Sequence, residues 1–412
     1  MSAPTTPTIP TTSAPRPAVA RIARALVLKQ LRGLQDARLE ILDADGVAAF
    51  GPATATLRAQ VHVHDPRLWT RILARGALGA GEAYGEGYWT ADDLTAALRA
   101  FVRNRTLLDG LDRGVASLSR SLLRGILGLS GHSRERSRKD IAFHYDLGNA
   151  FFELFLDETM TYSCAVFDGP DTSLAEASVA KLDRMCRKLD LQPGHRVLEI
   201  GCGWGSFAEH AAKHYGCEVV GTTISAEQYA YATERIRRAG LDDRVSIVRQ
   251  DYRDLGGRFD RIVSIEMIEA VGHDNLATYF GVIEERLAPG GKAAIQAITI
   301  DGARYEAARR TMDFIKRHIF PGSFIPSVDV MRRSAAGAGL AMHAVDEIGL
   351  DYAETLSRWR ARFAERGNEL EALGFDARFR RYWDYYFAYC EAGFLERQLG
   401  NVQFVLSRPE EV

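Results

Sequence analysis

Three glycines at alternate positions, set directly behind a short apolar run, constrain this chain more than any other feature: Val197-Leu-Glu-Ile-Gly-Cys-Gly-Trp-Gly205. The apolar run reads as a buried strand, and Ser206 to His214 behind it reads as a helix. Glycine lets the backbone turn tightly and lie against a ligand that a side chain would exclude. The helix start offers N–H groups with no partner of their own. Strand, glycine turn and helix together describe a nucleotide-like cofactor site. The spacing is G-x-G-x-G rather than G-x-G-x-x-G, which suits S-adenosylmethionine (SAM) better than a dinucleotide pyrophosphate.

The surrounding sequence repeats the same rhythm. Ser173-Leu-Ala-Glu176 is a capping box that opens a helix with Val179, Leu182, Met185 and Leu189 apolar, and Pro193-Gly194 breaks it. Strands are expected at Arg196–Ile200, Glu218–Gly221, Val245–Val248, Arg261–Ile265 and Lys292–Ile300. Helices fall between them, one from Ser225 to a stop at Gly240 and one over Leu276–Leu287 that ends at Pro289-Gly290-Gly291. This alternation predicts an α/β fold with a Rossmann-like, doubly wound and mostly parallel sheet, its cofactor lying at the carboxyl ends of the strands. Residues 301–340 interrupt the rhythm and are expected to cap that edge. Phe375 to Phe394 is rich in Tyr, Trp and Phe, and Val402–Leu406 reads as a last strand.

At 412 residues the chain is long enough for two domains. Residues 1–20 carry prolines at 4, 7, 10, 15 and 17 and read as a disordered polar tail without the apolar core of a secretory signal. Residues 21–111 read as a small α+β domain. A basic amphipathic helix covers residues 20–35. In the alternating stretch from Arg38 to His64, Leu57, Ala59, Val61 and Val63 share one face, and Asp43-Ala44-Asp45-Gly46 supplies a turn. His62 and His64 share the opposite face without a third ligand, so no metal site is expected. Residues 112–139 read as a linker dense in charge, including Arg134, Arg136, Arg138 and Lys139. Its isolated Leu122, Leu123, Ile126 and Leu127 and its basic charge also suit an anionic lipid surface. Residues 140–412 form the second domain. A net charge of −2 gives no argument for nucleic acid, and no apolar run is long enough to span a bilayer. The five cysteines form no C-x-x-C pair and are read as reduced thiols in a cytosolic protein.

Polar residues at the strand ends are the candidates for chemistry. Asp251-Tyr252 follows the third strand, where an acid can accept from an adenine amino group; the same Asp-Tyr-Arg-Asp also suits a strand-end turn. The second strand ends without an acid, leaving Thr223, Ser225 and Gln228, of which Ser225 is equally explained as a helix cap and Gln228 by the box that cap forms. Glu266 and Glu269 follow the fourth strand in an otherwise apolar stretch, and Glu269 is the one expected to be functional. On physical grounds alone Tyr352 and Cys390 read as an aromatic–thiol pair in the core. The Pro-Pro-aromatic signature of base-amino methylation is absent.

Several ordered motifs together resemble the cyclopropane fatty acid synthase family of SAM-dependent lipid methyltransferases. They are Gly81-Glu-Ala-Tyr-Gly-Glu-Gly-Tyr-Trp89, His144-Tyr-Asp-Leu-Gly-Asn149, Met160-Thr-Tyr-Ser-Cys-Ala165, the glycine turn, Thr223-Ile-Ser-Ala-Glu-Gln228, Gln250-Asp-Tyr-Arg-Asp-Leu255, Ile315-Lys-Arg-His-Ile-Phe-Pro-Gly322 and Tyr389-Cys-Glu-Ala-Gly-Phe394. The resemblance implies a class I methyltransferase domain behind a small lipid-binding domain. It implies methylation of a cis double bond in a phospholipid acyl chain, giving a cyclopropane and S-adenosylhomocysteine (SAH). SAM would be held by Tyr162, Ser163, Glu199, Gly201, Gly203, Gly205, Thr223, Ser225, Gln228, Asp251 and Tyr252. A bicarbonate ion would accept the proton, held by Cys164, Glu269, the Ile298 backbone and Tyr352, with Cys390 in the active site. The enzyme would be a cytoplasmic homodimer on the inner face of a membrane.

One departure bears on the product. The family's bicarbonate site often has a histidine where this chain has Gln296, and Glu269-Ala270 stands for a frequent Glu-His. Glutamine can hydrogen-bond an anion but cannot carry its proton. A methylene- or methyl-branched product is therefore the alternative, the latter needing a reductase partner. A non-catalytic lipid-binding protein is the third reading.

Overall fold

The computed structural model describes residues 17–105 and 147–408. The expected linker 112–139, most of the expected tail and His144 to Asp146 of one motif lie outside them. The chain divides between His132 and Ser133 into two compact units.

In the first unit, α1 (Pro17–Leu31) begins on a proline, whose missing N–H costs nothing at a helix start. It buries Ala20, Ala23, Val27 and Leu31, one helical face. Strands β1 (Arg38–Asp43), β2 (Gly46–Phe50), β3 (Arg58–Val63) and β4 (Trp89–Ala91) form a sheet in the order β2-β1-β3-β4, with β1 and β3 parallel. Gly46, at φ +119°, closes the β1–β2 hairpin where the turn was expected. Ala59 and Val61 are buried while Arg58 and Gln60 face out, as the alternation requires. His64 Nε2 lies 2.8 Å from Thr90 Oγ1. Helices α2 (Arg67–Gly85) and α3 (Leu94–Arg103), the latter capped by Asp93, complete the unit.

The second unit is a seven-stranded sheet. Its strands are β5 (Arg196–Ile200), β6 (Glu218–Thr223), β7 (Val245–Arg249), β8 (Phe259–Ile265), β9 (Leu287–Ile300), β10 (Ala341–Glu347) and β11 (Leu399–Ser407). Their order is β10-β11-β9-β8-β5-β6-β7. The strands from β5 to β9 are parallel to their neighbours, and β11 is antiparallel to both β9 and β10. Helix α4 (Asn149–Glu153) precedes α5 (Leu174–Lys188), which opens on the expected capping box, with Ser173 and Glu176 each satisfying the other's backbone N–H. Helices α6 (Ser206–Tyr215), α7 (Ala226–Arg238, capped by Ser225) and α8 (Leu276–Arg286) link the parallel strands. This is the class I SAM-dependent methyltransferase arrangement expected from the sequence.

Residues 301–340 differ from expectation. They hold α9 (Gly302–Arg310), α10 (Phe314–His318) and α11 (Val328–Gly337). Helix α11 is no cap: Met331 and Ala335 are fully buried in the core that also contains Phe280, Ile283 and Leu406. It belongs to one more helix–strand unit, ending in β10. That edge strand has no buried residue, so it lacks the apolar alternation that would announce it. Helices α12 (Gly349–Glu365), α13 (Gly367–Ala372) and α14 (Ala377–Leu395) precede β11. Among the described residues no helix is long and apolar enough to cross a membrane.

Candidate active site

The glycine turn leaves β5 with Gly201, Gly203 and Gly205 at φ +82°, +52° and +84°. The N–H groups of Gly201 and Cys202 both donate to the Thr222 carbonyl, at 3.1 and 2.9 Å, and tie the turn to β6. A Cβ on Gly201 would lie 2.8 Å from Met267 Cγ, and one on Gly205 3.1 Å from Ala232 Cβ. A Cβ on Gly203 would meet nothing within 4 Å. The outer glycines thus permit close packing, and the middle one faces open space. Helix α6 starts behind it without a side-chain cap. These features fit SAM, a ligand laid against bare backbone at a helix start.

The other expected cofactor residues surround this turn. Thr223 Oγ1 donates to Gln228 Oε1 at 2.8 Å, and Ser225 Oγ accepts from the Gln228 N–H at 3.3 Å, so Ser225 does cap α7. Asp251 ends the segment after β7. It accepts from the Arg253 N–H and pairs with the Arg253 guanidinium at 2.9 and 2.7 Å. Those bonds hold its carboxyl below the usual range, so the turn reading and a charged acid at the strand end coexist. Tyr252 lies edge-on to Tyr279, 5.8 Å between centroids.

Glu199, expected at the cofactor site, has a buried cation near it that the sequence reading passed over. Lys181 of α5 is 1% exposed and its ammonium donates to Ser163 Oγ at 2.9 Å. Burial pushes its pKa down to about 8, while the charges of Glu266, Cys164 and Glu199 pull it up. Glu199, 4% exposed, is pushed up to about 8 by burial, with Lys181 opposing. The signal was present, since residue 181 falls on the buried stripe of Ala177, Ser178, Leu182 and Met185.

Glu266 is the centre of the site. It follows the last residue of β8 in the left-handed backbone region, φ +49°. Its Oε1 accepts from the Cys164 N–H at 3.0 Å, Gln296 Nε2 at 2.9 Å and Asn401 Nδ2 at 2.6 Å. Its Oε2 accepts from the Tyr352 hydroxyl at 2.8 Å. Burial and the Glu266 charge keep the Tyr352 phenol well above its ordinary pKa, so it stays a donor. Gln296 Oε1 in turn accepts from Gln403 Nε2 at 2.9 Å, and Gln296 also donates to the Cys164 carbonyl at 3.2 Å. Asn401 and Gln403 sit on β11 directly opposite Ile298 and Gln296 of β9.

Glu269 stands apart from this network. Its Oε1 accepts from the Ile298 N–H at 2.6 Å, and its Oε2 is buried with no partner. The residue as a whole is partly exposed, but the carboxyl end is enclosed. Burial first, and the Glu266 charge second, push its pKa up to about 8. The native state therefore holds this proton where the unfolded chain, at 4.5, has released it. Fewer protons on the unfolded chain make stability fall as pH rises from 4.5 towards 8. Chemical denaturation across that window is expected to show wild type losing about 1 kcal/mol per pH unit more than Glu269→Gln, whose amide does not titrate.

Aromatic rings build the rest. Tyr162 donates to or accepts from Tyr386 at 3.0 Å between hydroxyls. Its ring lies 5.2 Å from Trp359, 5.2 Å from Phe152 and 6.3 Å from Phe320. Tyr352 stacks on Phe394 at 4.7 Å and meets Trp359 edge-on at 6.1 Å. Cys390 follows Tyr386 by one turn of α14, on the same face, and burial pushes its thiol pKa up. Burial also keeps the Cys164 thiol protonated. Both thiols are therefore neutral groups rather than nucleophiles.

The donors that the family resemblance assigns to bicarbonate are already used. Glu266 takes the Cys164 N–H, the Tyr352 hydroxyl and the amide at position 296, and Glu269 takes the Ile298 N–H. A separate bicarbonate does not fit this arrangement.

The sequence pattern of the family described as mycolic acid cyclopropane synthetase matches residues 132–404. The chain is 40% identical over 386 residues to tuberculostearic acid methyltransferase UfaA1 of Mycobacterium tuberculosis, covering 90% of this chain and 87% of that one. It is 38% identical over 374 residues to the cyclopropane-fatty-acyl-phospholipid synthase of Escherichia coli, covering 90% and 93%. The solved structure of mycolic acid cyclopropane synthase CmaA1 complexed with SAH and CTAB superposes with a TM-score of 0.60 at 32% identity, over 65% of this chain and 97% of that one. With the glycine turn, the strand order and these matches in agreement, the chain belongs to the mycolic acid cyclopropane synthetase family and is a SAM-dependent methyltransferase in a family that acts on lipids.

Proposed function

We propose that the protein adds the SAM methyl group to the cis double bond of unsaturated acyl chains in membrane phospholipids, forming cyclopropane fatty acids. The observation that carries this reading is the enclosure of rings around Tyr162, joined through Trp359 and Tyr352 to the Glu266 carboxylate. SAM supplies a methyl group on a sulfonium, electrophilic enough for an alkene to attack. Attack leaves positive charge on a chain carbon. The faces of Tyr162, Trp359 and Tyr386 stabilise such a cation without bonding to it, and a carboxylate nearby adds electrostatic stabilisation. The packed rings also exclude the water that would trap it. Loss of one proton to a carboxylate base then closes the ring.

Gly201 to Gly205, Thr223, Gln228, Asp251 and Tyr252 hold the cofactor in this reading, together with Ser163, which accepts from Lys181, and Glu199, which feels the Lys181 charge. The first unit serves as the lipid-binding domain. Ile22 and Val47, 62% and 68% exposed, are apolar groups it offers to a bilayer. The protein acts as a homodimer at the inner face of the membrane.

A second reading draws on Gln296. With its amide committed to Glu266, Cys164 and Gln403, that position cannot titrate. A cation that loses its proton after a hydride shift gives a methylene branch, and a reductase partner would convert it to a methyl branch. Vesicles of cis-monounsaturated phospholipid, incubated with pure protein and methyl-labelled SAM, separate the outcomes. The expected product carries one labelled methylene per modified chain, with proton resonances in the high-field region of cyclopropanes. Olefinic methylene signals would favour the branch, and label left entirely in SAM would overturn both.

A further inference from the structure

We propose that the Glu266 carboxylate is the proton acceptor of this enzyme, built into the chain in place of a bound anion. The assignment rests on the olefin-methylating function proposed above and names the base it needs.

Three observations carry it. Glu266 gathers four donors, from the Cys164 backbone, Gln296, Asn401 and Tyr352, and these come from four separate segments of the chain. Three point at Oε1, and one reaches Oε2, which keeps a lone pair for a proton. The residue also occupies a left-handed backbone position that glycine would take without strain. Side chains held in such a conformation at a strand end are characteristic of functional sites. Finally, four donors converging on one partly buried carboxylate are a costly arrangement that apolar side chains of similar volume would avoid.

Electrostatics argue the same way. Glu266 and Glu269 already place two carboxyl groups together, and the buried Lys181 ammonium feels the charges of Glu266 and Glu199 but not that of Glu269. Adding a free anion would put a third acid into the same site. Glu269, kept protonated near neutral pH by burial first and by the Glu266 charge second, suits hydrogen-bond donation rather than proton acceptance.

The chemistry balances. The alkene π pair forms a bond to the methyl carbon as its bond to sulfur breaks, releasing SAH. The C–H pair of the transferred methyl then forms the third ring bond, and the proton passes to Glu266 Oε2 and on to solvent. A hydrogen beside a carbocation is so acidic that a weak base suffices, provided that it is correctly placed. Four hydrogen bonds supply that placement and also hold the carboxylate back from bonding to the cation itself.

The test compares wild type, Glu266→Gln and Glu266→Gly with monounsaturated phospholipid vesicles and labelled SAM, in carbon-dioxide-free buffer and with added bicarbonate. Wild type is expected to turn over equally, within about two-fold, in both buffers. Glu266→Gln keeps the shape of the side chain and is expected to lose about a hundred-fold or more in kcat, with its SAM affinity by calorimetry unchanged. Glu266→Gly relieves the backbone and opens the slot, so bicarbonate is expected to restore turnover saturably. Wild-type activity that falls without bicarbonate and returns with it would overturn the assignment, as would near-normal kcat in Glu266→Gln. Wild type that labels no lipid in either buffer would overturn the function beneath it, and the assignment with it.

Discussion

A Gly203→Leu chain is expected to fold and to lose SAM. Residue 203 has φ +52°, and a Cβ there meets nothing within 4 Å. The substitution therefore costs the fold only the left-handed penalty of an L residue, about 1–2 kcal/mol. Its side chain fills the space against which the cofactor would lie. Calorimetry should show SAM affinity down by about a hundred-fold or more, equivalent to about 2.7 kcal/mol. Gly240→Leu is the matched control. Gly240 has φ +65° and equally open surroundings, but stands past the far end of α7. It carries the same strain and should bind SAM normally. Equal binding by the two variants would show that the turn does not cradle the cofactor.

Phe151→Ala is expected to be among the most damaging core substitutions in the second unit. The residue is fully buried on the short α4. Its ring lies 4.7 Å from Trp383, 4.9 Å from Phe375 and within 6.1 Å of Phe152, Phe155, Phe363 and Phe379. Deleting a buried ring costs about 3–5 kcal/mol, and the lost edge-to-face contacts place this site at the upper end. Against a total stability of about 5–15 kcal/mol, that is a large share. Urea titration followed by tryptophan fluorescence would measure it. Phe151→Leu retains most of the volume and should cost under about 2 kcal/mol. A loss below about 1 kcal/mol for the alanine variant would mean that the surrounding rings close over the gap.

Where local signals were strong, the fold was legible. The capping box at Ser173 and the glycine stop at Gly240 placed helix ends because capping is a short-range interaction. Strands β5 to β9 showed as apolar runs because helices cover both faces of a parallel sheet. The edge strand β10 escaped because solvent reaches most of its side chains, and α11 was misread along with it.

The site was legible less evenly. Glycine spacing located the turn after β5, and the family motifs named Cys164, Glu269, Gln296, Tyr352 and Cys390, which lie around Glu266 and Tyr386. The apolar strand-end stretch singles out Glu266 and Glu269 together, and the sequence does not show that Glu266 is the one that gathers the donors. Which carboxyl collects the donors depends on partners 102, 86 and 135 residues away in sequence. No periodicity encodes such contacts. Asn401 and Gln403 were hidden for a related reason. They lie in a strand stretch where Asn401 to Phe404 are all buried, so polar and apolar residues do not alternate with exposure.

The placement of β11 has a consequence for biosynthesis. This strand, Leu399–Ser407, is inserted between β9 and β10 although it is the last of the three to be made. A chain delivered only as far as Phe394 lacks the strand that lies between β9 and β10. Glu266 then has no Asn401, and Gln296 no Gln403. The hydrogen-bond network around Glu266 is therefore completed only once β11 has been made and has docked between β9 and β10.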